Sequence, residues 1–386
     1  MNYQSKVIYE MHEFPELFAL RGHEVTFLHY PEQIGKAGRS RRAVRRTIAG
    51  RAYPEASITL VTPPTWGGSA VERLAAPMID YPTLKREINS GRYDVIVLYA
   101  VPTTGWQAVA LAKRARIPVV FRALDVSHKI RRSVLSPLVR AAERYVYRNA
   151  TLLSANNPAM ADYCVSISRR TGPTRVNLPP LDLSHFARES TSNVREKLGL
   201  DESHRVVLYM GSFFGFSGLD VVLADLIPEF SRYPELRFVL VGGGELDAQL
   251  RRTVAENGLE DRVLFTGVID YQLLPEYLKV ADVAINPFAP ELLTNVALPH
   301  KVLQYMAAGV PAVSTSLTGL RGILGDGAGV TWVDGPHDVA AVATRLARGA
   351  ASALGKISRV ESAFAASTFS KESAVASFES AVESVI

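Results

Sequence analysis

The residues with the clearest chemical content lie between Asn286 and Thr315, in the stretch NPFAPELLTNVALPHKVLQYMAAGVPAVST. Two short apolar runs, Ala281–Pro287 and Val310–Thr315, read as buried strands, and one helix must fit between them. Pro299 suits the first turn of that helix, Gly309 the position just past its end, and Pro311 forbids continuation. Val302, Leu303, Met306 and Ala307 form its apolar stripe, while Lys301 and Gln304 sit three apart on the other face. A lysine at a helix N-terminus adds an ammonium to free backbone N–H groups and the positive end of the helix dipole, a combination that holds phosphate. An amphipathic core helix carrying a solvated lysine is the plainer alternative, and these residues alone leave both open.

The elements that must position this helix are legible on either side of it. At 386 residues the chain exceeds what one core usually covers, so two domains are expected. The first half alternates apolar strands (Glu24–Tyr30, Ser57–Thr62, Asp94–Tyr99, Pro118–Arg122, Thr151–Ser154) with helical stretches such as Trp106–Arg116 and Leu135–Tyr147. Strands apolar on both faces that alternate with helices predict a doubly wound parallel sheet. Around Val176–Arg188 the pattern stops at a proline pair, and the second half begins it afresh. Strand Arg205–Met210 leads into helix Gly218–Phe230, strand Leu236–Val241 into three glycines, Gly242 to Gly244, and strand Val263–Thr266 follows. Ligands of such sheets bind beyond the carboxyl ends of the strands, so the loops Gly211–Ser217, Gly242–Gly244 and Gly267–Asp270 should converge on the helix after Pro299. A terminal helix, Thr368–Ile386, carries Ala374, Phe378, Val382 and Ile386 on one face and needs a surface to pack on.

A hydrophobic content of 47% with 21% charged residues describes an ordered protein, and no run of eighteen apolar residues spans a membrane. A single cysteine, Cys164, excludes a disulfide framework and any cysteine-built metal site. The net charge of +5 hides a division: residues 1–190 hold 27 Lys+Arg against 15 Asp+Glu, and the remainder is acidic. The basic runs Lys36–Arg51, Lys113–Arg116 and Lys129–Arg132 lack the aromatic interleaving of nucleic-acid readers. Anionic lipid headgroups fit them better, at about 1 kcal/mol per cation near the surface; a solvated loop with an arginine-rich helix is the alternative.

Taken together, the order and spacing of several strings resemble the retaining glycosyltransferases of family 4. They are RGHEVTFL at Arg21–Leu28, LPPLDLSHF at Leu178–Phe186, LYMGSF at Leu208–Phe213, FVLVGGGEL at Phe238–Leu246, DRVLFTGVI at Asp261–Ile269 and the opening stretch itself. The resemblance implies an α/β chain of GT-B fold: two facing Rossmann-like domains with a cleft between them and a C-terminal helix returning to the first. The implied bounds are 1–185 for the acceptor side, 186–367 for the nucleotide-sugar side and 368–386 for the returning helix. It also implies a donor site. Gly267 and Val268 would flank the base, Gly211 and Ser212 the diphosphate, and Ala297 and Leu298 would offer N–H groups, with Phe213, Gly242 and Asn295 in the same lining. Gln304 stands where the family usually places a ribose-binding glutamate, and its amide oxygen still accepts a hydroxyl.

Departures from the family pattern fall on the charges. Val296 occupies the place of the other glutamate, and Glu291 is out of register. In GSFFGFSG, Gly211–Gly218, Ser212 and Ser217 replace the usual Arg and Lys, so Lys301, in a P-x-K variant of the helix, is the expected cation for the leaving diphosphate. A family His-Asp pair becomes Leu124–Asp125 with His128 three residues later. Asp125, His128 and Lys301 are the implied catalytic set; alternatively Asp125 caps a helix and His128 is merely exposed. Helix Val7–Leu20 follows the start without the family's first central strand, so the natural coding start is expected upstream of Met1.

The expected activity is transfer of a sugar from a nucleotide diphosphate to a hydroxyl acceptor, lipid-linked or part of a surface polysaccharide, in surface polysaccharide or glycolipid synthesis. No cofactor and no metal are implied, nor nucleic acid. The expected location is the cytoplasm, peripheral to the inner membrane face. A catalytically silent GT-B protein that binds nucleotide or scaffolds a partner is the alternative. A nicotinamide site fails because Asp247 stands where a third glycine belongs.

Overall fold

The computed structural model describes residues 3–4, 7–30, 40–64, 77–99, 104–130, 135–188, 193–326, 329–349 and 368–386. They form two compact units, Met1–Pro180 with Glu372–Ile386, and Leu181–Lys371.

In the first unit, strands β1 (Thr26–Leu28), β2 (Val44–Ala49) and β3 (Ser57–Thr62) form a sheet ordered β1-β3-β2. Strands β4 (Ile96–Leu98), β5 (Val119–Ala123), β6 (Leu152–Ala155) and β7 (Thr174–Val176) form a second, parallel sheet in that order. β5 and β6 are buried at every position, which is why their apolar residues do not alternate with exposed ones and why their polar members, Arg122 and Ser154, need partners inside. β2 corrects the expectation of an all-parallel first half. It runs antiparallel to β3 at the edge, inside the basic run read as a loop or a helix, and its charges blunt the edge. Positions 36–39 of that run, and 131–132 of the run after Lys129, lie outside the described residues.

The helix Glu10–Leu20 looks amphipathic but is buried where it is most polar: Glu10, His12, Glu13 and Glu16 are all under 7% exposed. Each distant partner explains one of them. Glu10 takes a bidentate pair from Arg122, at 2.6 and 3.1 Å. Arg122 is itself fully buried and also donates to Ser154 Oγ and the Asn177 carbonyl. Glu16 accepts the backbone N–H groups of Arg51, Ala52 and Tyr53, and the Tyr3 hydroxyl at 2.5 Å. His12 and His29 bracket Tyr3: His29 Nδ1 accepts the Tyr3 N–H, and His12 Nε2 donates to its carbonyl. Desolvation lowers both imidazole pKa values to about 4, so both rings are neutral.

The helix Lys371–Glu383 buries Ala374, Val375, Phe378, Ala381 and Val382. Phe378 stacks its ring within 4.6 Å of Phe14 and 5.7 Å of Phe18, and Glu379 binds Arg21 and His23. Ile386, expected on the packed face, is exposed. The outer edges of β1 and β4 both line a groove of about 570 Å³ with Phe14, Phe18, Phe378 and Val382.

The second unit is one six-stranded sheet, all parallel, ordered β10-β9-β8-β11-β12-β13. The strands are β8 (Arg205–Ser212), β9 (Leu236–Gly243), β10 (Val263–Gly267), β11 (Val283–Asn286), β12 (Ala312–Thr315) and β13 (Thr331–Val333). The helices Leu219–Arg232 and Pro336–Ala347 cover one face and close a core that includes Tyr209, Phe213, Phe230, Phe238 and Ile285. Because every strand points the same way, the carboxyl ends of β8, β9, β10 and β11 share one edge of the sheet.

Candidate functional site in the second unit

The sheet edge is built for close approach of something to backbone. Gly211 and Gly242 pair in register at the ends of β8 and β9, with φ of 140° and 134°. A Cβ on Gly242 would fall 2.0 Å from the Gly211 carbonyl, so only glycine fits there. The loop after β8 folds back through Phe213 N–H to the Gly243 carbonyl, and through the Gly215 N–H to Glu245 at 2.6 Å.

The helix His300–Ala307 enters this edge with its N-terminus. Pro299 is its N-cap rather than its first turn, with ψ of 105°, so the helix starts one residue later than its proline suggests. At the other end Gly309 adopts φ of 69°, and the Val310 N–H reaches the Tyr305 carbonyl, closing the helix as its glycine predicts. Val302, Leu303, Met306 and Ala307 are buried, as the stripe requires. Tyr305, which the stripe did not include, is also fully buried. Its phenol oxygen accepts the Met210 N–H at 2.9 Å and donates to the Ile285 carbonyl at 3.3 Å, tying the helix to β8 and β11.

Lys301 leans back over the end of β8. Its Nζ lies 3.9 Å from the centre of the Tyr209 ring and 4.3 Å from that of Phe288, and an added Cβ on Gly211 would stand 3.0 Å from it. Two aromatic faces stabilise the ammonium by their quadrupoles. Among the described residues it has no hydrogen-bond or carboxylate partner. Desolvation holds its pKa well below the usual lysine value. Phe216 lies edge-on to Phe288 and stacks with Phe214, so the walls beside the ammonium are aromatic. A half-buried cation among rings and glycine backbone, with no carboxylate partner among the described residues, is open to an anion that arrives from outside.

The other expected donor residues divide. Ser212, Gly267, Val268, Asn295, Ala297 and Gln304 are half-buried or exposed, and the Gln304 amide has no protein partner among the described residues. The Phe213 ring is wholly inside the core, so the expected donor contact is not made by its side chain. Ala297 donates its N–H to the Thr294 carbonyl, which removes it as a phosphate donor, and Leu298 is buried. Ser217 is fully buried too, so the position is core. Glu291 caps the short helix Leu292–Asn295 instead of facing the sheet edge.

In the first unit Asp125 and His128 follow β5, and His128 begins neither as a free surface ring nor under an aspartate cap. Glu143, fully buried on the helix Ser136–Asn149, accepts the His128 backbone N–H at 3.2 Å and its Nδ1 at 2.5 Å. A proton on Nδ1 donated to that carboxylate leaves Nε2 as the unprotonated nitrogen of the neutral ring. Glu143 escaped the sequence reading because its spacing from His128, fifteen residues, has no local signature. Asp125 keeps an exposed surface, yet desolvation by the groups packed around its carboxyl, followed by the negative charge of Glu143, raises its pKa to about 6.

Two α/β units built on parallel strands, the first with one antiparallel edge strand, define the GT-B class. Residues 204–351 match the family model described as glycosyl transferases group 1, and residues 11–180 match the glycosyl transferase 4-like domain. Together these segments span most of the chain, which belongs to the GT-B glycosyltransferase family. It is 28% identical to a D-inositol 3-phosphate glycosyltransferase of Thermomonospora curvata, over 67% of this chain and 64% of that protein. A 2-deoxystreptamine N-acetyl-D-glucosaminyltransferase of Streptomyces fradiae is 30% identical over 49% of this chain and 44% of its own. The chain thus covers less than two thirds of either relative. Among solved structures, WaaG, a glycosyltransferase involved in lipopolysaccharide biosynthesis, has a TM-score of 0.70 at 17% identity, over 97% of this chain and 95% of that chain. Anabaena HepE in complex with UDP-glucose has a TM-score of 0.67 at 19% identity, over 85% and 86%.

Proposed function

We propose that the chain is a retaining glycosyltransferase that moves a sugar from a nucleotide diphosphate to a hydroxyl acceptor in cell-surface polysaccharide or glycolipid synthesis. The observation that carries this reading is the Lys301 ammonium, caged by Tyr209 and Phe288 over the glycine-edged end of β8, with no anion of its own. A diphosphate placed there meets the helix N-terminus and one cation. In the reaction the acceptor oxygen bonds to the sugar's anomeric carbon as the bond to the phosphate oxygen breaks, and the leaving phosphate takes the acceptor's proton. Lys301 would offset the charge that grows on that phosphate, the task for which the absent Arg and Lys of the loop would otherwise serve. Gln304 would accept a ribose hydroxyl, and Gly267 and Val268 would flank the base. From the first unit, His128, aimed by Glu143, and Asp125 are assigned to the acceptor or the transferred sugar.

The test is incubation of the purified chain with UDP-, GDP- and dTDP-sugars, following donor consumption and, with an accepted alcohol, the anomeric configuration of the product by NMR. Retained configuration is expected. Inversion would overturn the mechanism, and donors that bind without ever being consumed would favour the silent alternative, for which the uncharged Val296, Ser212 and Ser217 at the usual charged places already speak. Failure to bind any nucleotide would remove the proposal.

A further inference from the structure

The helix Ser136–Asn149 carries two stripes on the side that faces away from the sheet. Leu138, Ala141 and Tyr145 form one, at helical spacing, and Arg140, Arg144 and Arg148 form the other beside it; all six are exposed. Leu138 exposes 68% of its surface, a value that among the described large apolar side chains only Met78 exceeds and Ile386 equals, and Leu135 at the N-cap exposes 42%. The inward side is built differently, with Glu143, Val146 and Tyr147 buried. Like charges four apart on a helix oppose one another. Among the described residues none of the three arginines forms an ion pair. Arg144 and Arg148, with Tyr145, Asn149 and Ser168, also line an open cavity of about 470 Å³. The neighbouring helix Gly105–Ala115 packs against this one and exposes Trp106, Lys113 and Arg114.

Folding alone explains neither stripe. An outward leucine and tyrosine lose by facing water, and three unpaired guanidinium groups repel one another, whereas a surface that is negative outside and apolar a few ångströms deeper relieves both conditions. We propose that this face docks on an anionic lipid bilayer, with Leu138 and Tyr145 entering the interface and the Arg144–Arg148 cavity receiving a lipid phosphate. The proposal needs none of the transfer chemistry above. The described residues contain no helix long and apolar enough to cross a membrane, so any attachment through them is lateral.

The experiment is flotation of the purified chain with vesicles of phosphatidylcholine alone or mixed with phosphatidylglycerol, at low and high salt. The wild type should float with the mixed vesicles only, and less at high salt. The triple variant R140Q/R144Q/R148Q should lose about a hundredfold in partition coefficient, from about fivefold per cation near an anionic surface. Leu138→Gln should weaken what remains at high salt, where the apolar contact carries more of the binding. All four side chains are exposed, so melting curves should match the wild type. Equal flotation of the variants, or no flotation of the wild type, overturns the proposal, as does binding to phosphatidylcholine vesicles that salt leaves unchanged.

Discussion

Replacing Lys301 by methionine deletes the charge while leaving a flexible apolar stem for the Tyr209–Phe288 slot, where sulfur sits well against rings. The ammonium has no carboxylate to orphan among the described residues, so the usual penalty for breaking a buried pair does not arise. What disappears instead is a charge-assisted contact to diphosphate, worth about 1.5–3 kcal/mol, or roughly ten- to a hundredfold in affinity. K301M should therefore bind the preferred nucleoside diphosphate that much more weakly in titration calorimetry and melt no lower than the wild type. The pH dependence carries a sign. Because desolvation lowers the lysine's pKa in the free protein, and a bound diphosphate would raise it, binding takes up a proton. Wild-type affinity should fall as pH rises through the free protein's pKa, and K301M should lack this dependence. Unchanged affinity in K301M would refute the placement of phosphate at this ammonium. A large drop in melting temperature would show that the cation holds the fold together instead.

Other consequences follow from the same geometry. Glu10→Gln leaves the Arg122 guanidinium buried without its counter-charge, which should cost about 3–5 kcal/mol and lower the melting temperature by about 10 °C in calorimetry. The neutral rings of His12 and His29 bind a proton readily only when the chain unfolds, so their pKa values near 4 imply stability that is complete above about pH 6.5 and is lost as pH falls toward 4. Each contributes at most about 3 kcal/mol, and His12→Gln, which keeps a donor and an acceptor without titrating, should flatten part of that slope in denaturant melts. His128→Ala should lower kcat by about a hundredfold with nucleotide affinity unchanged, and Glu143→Gln should lower kcat in the same direction but less, by weakening the hydrogen bond that holds the ring. Full turnover by the alanine variant would remove His128 from the chemistry.

The second unit was legible in the sequence because its signals are local. A glycine at a strand end, a proline before a helix and a glycine after it act within a few residues, and Gly211, Gly242, Pro299 and Gly309 stand at a strand end, an N-cap or a helix exit. Errors there were of orientation. Phe213 and Ser217 occupy the right loop, yet a loop gives no period from which to tell an inward side chain from an outward one, and both point into the core. Lys301 stands in the first turn of the helix, where its place in the sequence put it, but its cage was not readable: Tyr209 lies on a strand ninety-odd positions earlier, and nothing in KVLQY announces a ring above the side chain's nitrogen.

In the first unit the apolar strands β1, β3, β4, β5 and β6 were legible as well, and what resisted reading was the burial of its most polar helix. Its helix Glu10–Leu20 holds Glu10, His12, Glu13 and Glu16, a composition that ordinary burial preference assigns to solvent. Their burial depends on partners far along the chain. Glu10 waits for Arg122, and Glu16 for three consecutive N–H groups at Arg51, Ala52 and Tyr53, where the chain turns and no strand claims those donors. A carboxylate that satisfies three backbone donors does the work of a missing ladder, so its glutamate marks irregular backbone rather than a wet surface. The same logic separates the two charged helices of this unit. Glu10 and Glu16 on Glu10–Leu20 face inward because the interior supplies donors for both, whereas the arginines of Ser136–Asn149 face outward with no acceptor among the described residues. One set of charges is spent on folding, and the other is left to meet whatever the unit binds.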